Sequence, residues 1–146
     1  MKKIASHGLI LLFALSVVFH VLVLCSVIPF TIVGGGRITT QEEMYGVETT
    51  VLALNLLFLL ISLLVTGYIK WKFSPRILTA ALWVMVVVFL LNTVGNFFSN
   101  SYLEKLIFTP ITLVLAVFAA ILALDRNSQQ PEKTNQLKFS HRQIKR

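Results

Sequence analysis

Asn92 and Asn96 stand four residues apart in a run that is otherwise almost wholly apolar, a spacing that puts both amides on one face of a helix. Glu104 and the pair Thr109-Pro110 follow just across a short polar turn, and Arg37, Glu48 and Asn55 precede the run. Amides and carboxylates at a membrane boundary need partners. Arg37, Glu48, Asn55, Asn92, Asn96 and Glu104 are therefore the candidate ligand-binding set. With Asn55, Asn92 and Asn96 as a floor and Arg37, Glu48 and Glu104 as a rim, they describe a polar pocket open to the outer face. The same side chains also fit interhelical glue. In that reading the amides fix helix register through hydrogen bonds averaging about 0.6 kcal/mol, and Arg37 pairs with a glutamate to hold its loop.

Other chemistry-bearing residues are sparse. His20 is the one titratable group well inside the first apolar run. It suits either a proton relay or a neutral imidazole bonded to a neighbouring helix or to water. Ser26, His20 and Glu48 cannot be called a triad without geometry. The run Gly34-Gly35-Gly36-Arg37 can turn tightly or offer its amides as a nest for an anion; no phosphate-loop Lys-Ser or Lys-Thr follows it, which favours the turn. Cys25 is the single cysteine, so neither an intramolecular disulfide nor a CxxC redox centre is available. The spans contain no His/Asp/Glu metal constellation, and no catalytic residue, metal or cofactor is assigned.

The elements that must position these groups are legible in the composition. Hydrophobic residues make up 56% of the 146 residues and charged ones only 13%, against about 45–50% and about 25% in soluble domains. Apolar runs near 8–28, 49–69, 77–98 and 106–124 each approach the ~20 residues that a helix needs to cross ~30 Å of hydrocarbon. None alternates as a barrel strand would. The expected fold is all-α, a four-transmembrane-helix bundle over residues 1–124. The first run is longer than a signal-peptide core and is read as an anchor.

Local signals sharpen this picture. Thr40-Gln-Glu-Glu43 fits a capping box and starts helix two near Gln41. Glu48, Asn55 and Ser62 recur every seven residues and mark its inner face. Trp71 and Phe73 among lysines form an interfacial anchor, and Ser74-Pro75 opens helix three. Gly95 is expected to let a neighbouring helix approach the amides. Thr109, Thr112, Ala116, Ala119, Ala120 and Ala123 form a small-residue seam on helix four, with Pro110 in its first turn.

Charge sets the orientation. With the N-terminus inside, eleven of the 13 Lys and Arg residues fall on inner segments, and only Arg37 and Lys105 on outer loops. Both termini are thus expected in the cytoplasm of a cell whose inner (plasma) membrane holds the chain. The net charge of +7 is an inside-facing collar rather than a nucleic-acid signature. The basic tail, 125–146, is expected to be disordered and drawn to anionic lipid.

Pro29-Phe30-Thr31-Ile32-Val33 with Gly35-Gly36-Arg37, Glu42-Glu43-Met44-Tyr45, and Leu91-Asn92-Thr93-Val94-Gly95-Asn96 with Glu104 and Pro110 resemble a group of small, uncharacterised four-span bacterial integral membrane proteins. The resemblance covers about residues 8–124; it implies the same architecture and carries no activity or site residue across. The function expected is nonenzymatic binding or transport of a small molecule or lipid. Alternatives are an accessory subunit of a larger membrane complex and an enzyme acting on lipid headgroups. Expected partners are membrane lipids and either further copies of the chain or a larger membrane protein; no nucleic acid is expected.

Overall fold

A computed structural model describes residues 1–71 and 73–144, with side chains to residue 126 apart from Gly36 and Lys72. Helix is the regular structure of the described residues, with no strand among them. Four long helices, α1 (Lys2–Leu24), α2 (Gln41–Thr66), α3 (Pro75–Phe97) and α4 (Thr109–Ile144), are joined by two short 3₁₀ turns after α1 and a π-helical turn, Glu104–Phe108, leading into α4. Four helices, the last counted as Glu104–Arg126, are long and apolar enough to cross a membrane, as in a multi-pass membrane protein. Disorder is the expectation for the tail, 125–146, but the backbone of α4 continues through it as helix to Ile144.

Each helix buries a narrow stripe and leaves the rest of its surface greasy. Ala5, Leu9 and Phe13 recur at helical spacing on α1 and are fully buried. They meet Leu82, Met85 and Phe89 of α3, Phe58 of α2 and Ala116, Ala119 and Ala123 of α4 in one core. At its centre the rings of Phe13, Phe58 and Phe89 lie 5.4–5.9 Å apart in tilted and edge-on pairs, the arrangement that aromatic quadrupoles favour. Large apolar side chains such as Leu15, Val18, Val87, Leu91 and Val117 stay exposed; in water such a surface would drive association, and in a bilayer it is the lipid face.

The chain doubles back three times. α1 packs on α2 and α4, and α3 packs chiefly on α4. Contacts His20–Glu48, Phe13–Phe58 and His7–Tyr68 step along the first hairpin in antiparallel order. Lys2 pairs with Asp125, so the start of α1 and that stretch of α4 share one end of the bundle with the 67–74 connection. Residues 25–40 and 98–104 form the opposite end, here called the loop end.

Several local expectations hold. The capping box is complete, with Thr40 Oγ1 accepting from the Glu43 amide and the Glu43 carboxylate accepting from that of Thr40. Glu48 and Ser62 are buried and Asn55 half-buried, as the heptad spacing requires. α3 begins at Pro75, although Ser74 makes no side-chain cap. The alanine seam of α4 lies against the chain's own helices, so it is not a free surface for a larger partner.

Two expectations fail for packing reasons. No other part of the chain approaches Gly95, since a Cβ there would meet nothing within 4 Å. The close approach is at Gly8, where a Cβ would run into the Phe118 ring of α4. Pro110 is not in a first turn either, because helical backbone begins at Tyr102. Its missing amide and bulky ring fall inside a helix. The preceding π turn, closed by the Thr109 amide bonding to the Glu104 carbonyl, widens the helix where the proline disturbs it.

Replacing Gly8 by Val is expected to destabilise the bundle by about 1–3 kcal/mol, the usual range for overpacking, and Phe118→Ala in the same chain should recover part of the loss. Equilibrium unfolding in mixed micelles reads both.

Candidate functional site

Hydrocarbon supplies no hydrogen bonds, so each polar side chain in a span must be satisfied by protein. Most here turn back on their own helix. Asn55 Nδ2 donates to the Val51 carbonyl at 2.9 Å, Ser62 Oγ to Phe58 at 2.8 Å and Thr66 to Ser62 at 2.8 Å. The hydroxyls of Thr93 and Thr112 lie 3.0 Å apart across α3 and α4, each also within reach of a carbonyl in its own preceding turn. Short hydroxyl and amide side chains make this local bond readily. Such residues need nothing from a ligand.

Glu48 cannot do the same, because a carboxylate in mid-helix finds no free amide nearby. It is 2% exposed. Its position follows from the capping box, which starts α2 at Gln41 and so places Glu48 two turns inside, facing α1. His20, one turn before the end of α1, meets it there with Nδ1 2.6 Å from Oε2. The imidazole is 15% exposed and touches the Phe19 ring edge-on at 5.3 Å, while Phe19 packs on Phe108 of the π turn at the same distance. Two proton arrangements fit the contact. An ionised Glu48 can accept from Nδ1–H, or a protonated Glu48 can donate to a bare Nδ1. The contact is a hydrogen bond in either arrangement.

A second buried carboxylate organises the loop above. Glu104, 6% exposed, opens the π turn and accepts from the Gly35 amide at 2.8 Å. Gly34 and Gly35 hold φ values of 66° and 72°, left-handed conformations that glycine tolerates without strain. The glycine amide that the sequence offered to an outside anion thus receives the chain's own carboxylate. Val23, Val33 and Met44 form a small core beneath this loop, and Ser101 Oγ donates to the Ile32 carbonyl at 3.4 Å. Loop 25–40 is accordingly packed on α1 and α2 and tied to the α3–α4 connection.

The six residues picked from sequence do not converge. Glu48 and Glu104 are interior groups with protein partners, not a rim; the low dielectric around them makes an intramolecular partner mandatory. Asn55 spends its amide on Val51. Asn92 is exposed and Asn96 half-buried, and neither makes a side-chain hydrogen bond among the described residues. Arg37 is exposed and joins no ion pair there. His20 lay outside the set, and the register of the first hairpin is what brings it in. Its signal was depth: one ionisable group shortly before the end of one span and another shortly after the start of the next. Among the described residues no three His, Cys, Asp or Glu side chains gather as metal ligands.

The chain matches no protein-family model, no curated protein and no solved structure.

Truncating His20 to Ala leaves Glu48 buried without its partner, and a loss of about 3–5 kcal/mol is expected. Leucine at both positions should cost less than His20→Ala alone, since apolar replacement of a whole buried pair is often tolerated; unfolding in detergent micelles compares the two. Glu104→Ala should cost about 1–3 kcal/mol by leaving the Gly35 amide unmet. Hydrogen exchange should then quicken at Gly35 while the amides of the Phe13–Phe58–Phe89 core keep their protection.

Proposed function

We propose that this chain is a nonenzymatic binding or transport-related protein of a cell's inner (plasma) membrane, taking up a small molecule or lipid at its loop end through the His20–Glu48 pair. The burial of Glu48 against His20 carries the reading. A structural role would be met as well by leucine, whereas an ionisable pair inside a lipid-immersed bundle usually marks a pathway or a binding centre. The pair lies one turn before the end of α1, on the side of the loop tied by Glu104. Exchange of a proton, or capture of one partner by a ligand cation or anion, is the chemistry available there.

The loop end faces away from the cytoplasm in this proposal, and both termini lie inside. Support comes from the charges: Lys2, Lys3, Lys70, Arg76 and Arg126 belong to the opposite end, while Glu42 and Glu43 belong to the loop end. Cys25 is exposed beside that loop, and it is the single cysteine. Oriented this way, it should be labelled by a membrane-impermeant maleimide added to intact spheroplasts; protection until the cells are opened would reverse the orientation.

Native mass spectrometry tests the binding. The wild-type chain released from its membrane is expected to retain a bound small molecule or lipid that the folded double variant His20→Leu, Glu48→Leu has lost. Equal retention by both forms, or none by the wild type, would contradict the reading.

A further inference from the structure

Asn55 and Asn92 are the same side chain in similar helices, yet they behave differently. Asn55 bonds back to the carbonyl four residues earlier. Asn92 leaves Val88 alone, turns outward and makes no side-chain hydrogen bond among the described residues. Its depth makes this costly. α3 runs Pro75–Phe97, so Asn92 lies six residues past the midpoint, about 9 Å at ~1.5 Å per residue, within the ~15 Å half-thickness of a bilayer core. An amide facing hydrocarbon there has no water to turn to. One turn along, Gly95 is also exposed, with empty space where a side chain would stand, so another backbone can come close beside the amide. Val84 and Leu91, more than half exposed, extend the apolar surface on one side of the pair.

We propose that the Asn92–Gly95 face of α3 is the contact between two copies of this chain. Copies inserted in one direction present equal depths to each other, and a two-fold axis along the membrane normal brings each residue opposite itself. Only a side chain that both donates and accepts is satisfied in that arrangement. An amide is such a group, and two of them can exchange a reciprocal pair of N–H···O bonds. A charged residue at the same place would repel its copy. The contact lies on the lipid-facing side of α3 and leaves the His20–Glu48 pair within each protomer untouched, so it stands whether or not that pair binds a ligand.

The test uses the full chain with Cys25→Ser and one new cysteine at a time, oxidised in native membrane vesicles. Asn92→Cys and Gly95→Cys should cross-link to a dimer, while Leu90→Cys on another face of α3 and Leu15→Cys on α1 should not. Association measured by energy transfer between labelled copies in liposomes should weaken about tenfold in Asn92→Leu, roughly the worth of two interhelical hydrogen bonds, and stay within about threefold in Asn92→Gln, which keeps the amide. Asn92 is outside the core, so circular dichroism of Asn92→Leu should match the parent. A chain monomeric at every protein-to-lipid ratio, cross-linking through Leu15 or Leu90, capture of a different protein at Asn92→Cys, or an unweakened Asn92→Leu would each overturn the proposal.

Discussion

A polar group carried into hydrocarbon must find its hydrogen-bond partner in protein, and the way each one does so divides this molecule into scaffold and candidate site. Serine and threonine hydroxyls, and the Asn55 amide, reach the carbonyls of their own preceding turn. They are satisfied before any helix packs. The two buried carboxylates have no such local solution. Glu48 and Glu104 take their partners from other elements, His20 on α1 and the Gly35 amide in the first loop, so their satisfaction depends on the assembled fold.

This difference places the distinctive structure at one end. Toward the termini the bundle is held by apolar stripes, an alanine seam and the Phe13–Phe58–Phe89 cluster. Near the loop end those forces are supplemented by two carboxylates that tie α1 to α2 and the glycine loop to the π turn. The π turn contributes twice. It absorbs Pro110 inside a continuous helix, and it sets Glu104 at the start of that helix within reach of Gly35. Phe108 from the same turn packs on Phe19, beside His20, so the two carboxylate sites share a wall.

Much of the fold was legible because it rests on local or periodic signals. Span-length apolar runs announce four helices, Thr40 and Glu43 announce the start of α2, and the Glu48–Asn55–Ser62 spacing announces its inner face. The candidate site was legible only in part. Residue type marked Glu48, Glu104, Asn55 and Asn92 as noteworthy, but type cannot say whether an amide will bond back to its own turn, as Asn55 does, or face outward, as Asn92 does. The partnership of His20 with Glu48 depends on the register of two helices across a sixteen-residue connection, and that of Glu104 with Gly35 on where a proline-disturbed turn aims its side chain. Gly95 and Gly8 carry the same lesson: both are permissive, and only packing tells which one another helix of the same chain approaches.

The central claim is the direct contact of His20 with Glu48 inside the spans. Solid-state NMR on the full chain in liposomes, with ¹⁵N in the imidazole of His20 and ¹³C in the carboxyl of Glu48, measures it through their dipolar coupling. A measurable coupling is the expected result for a carboxyl carbon whose Oε2 lies 2.6 Å from Nδ1. No detectable coupling, with an imidazole nitrogen shift typical of a water-exposed ring, would contradict it.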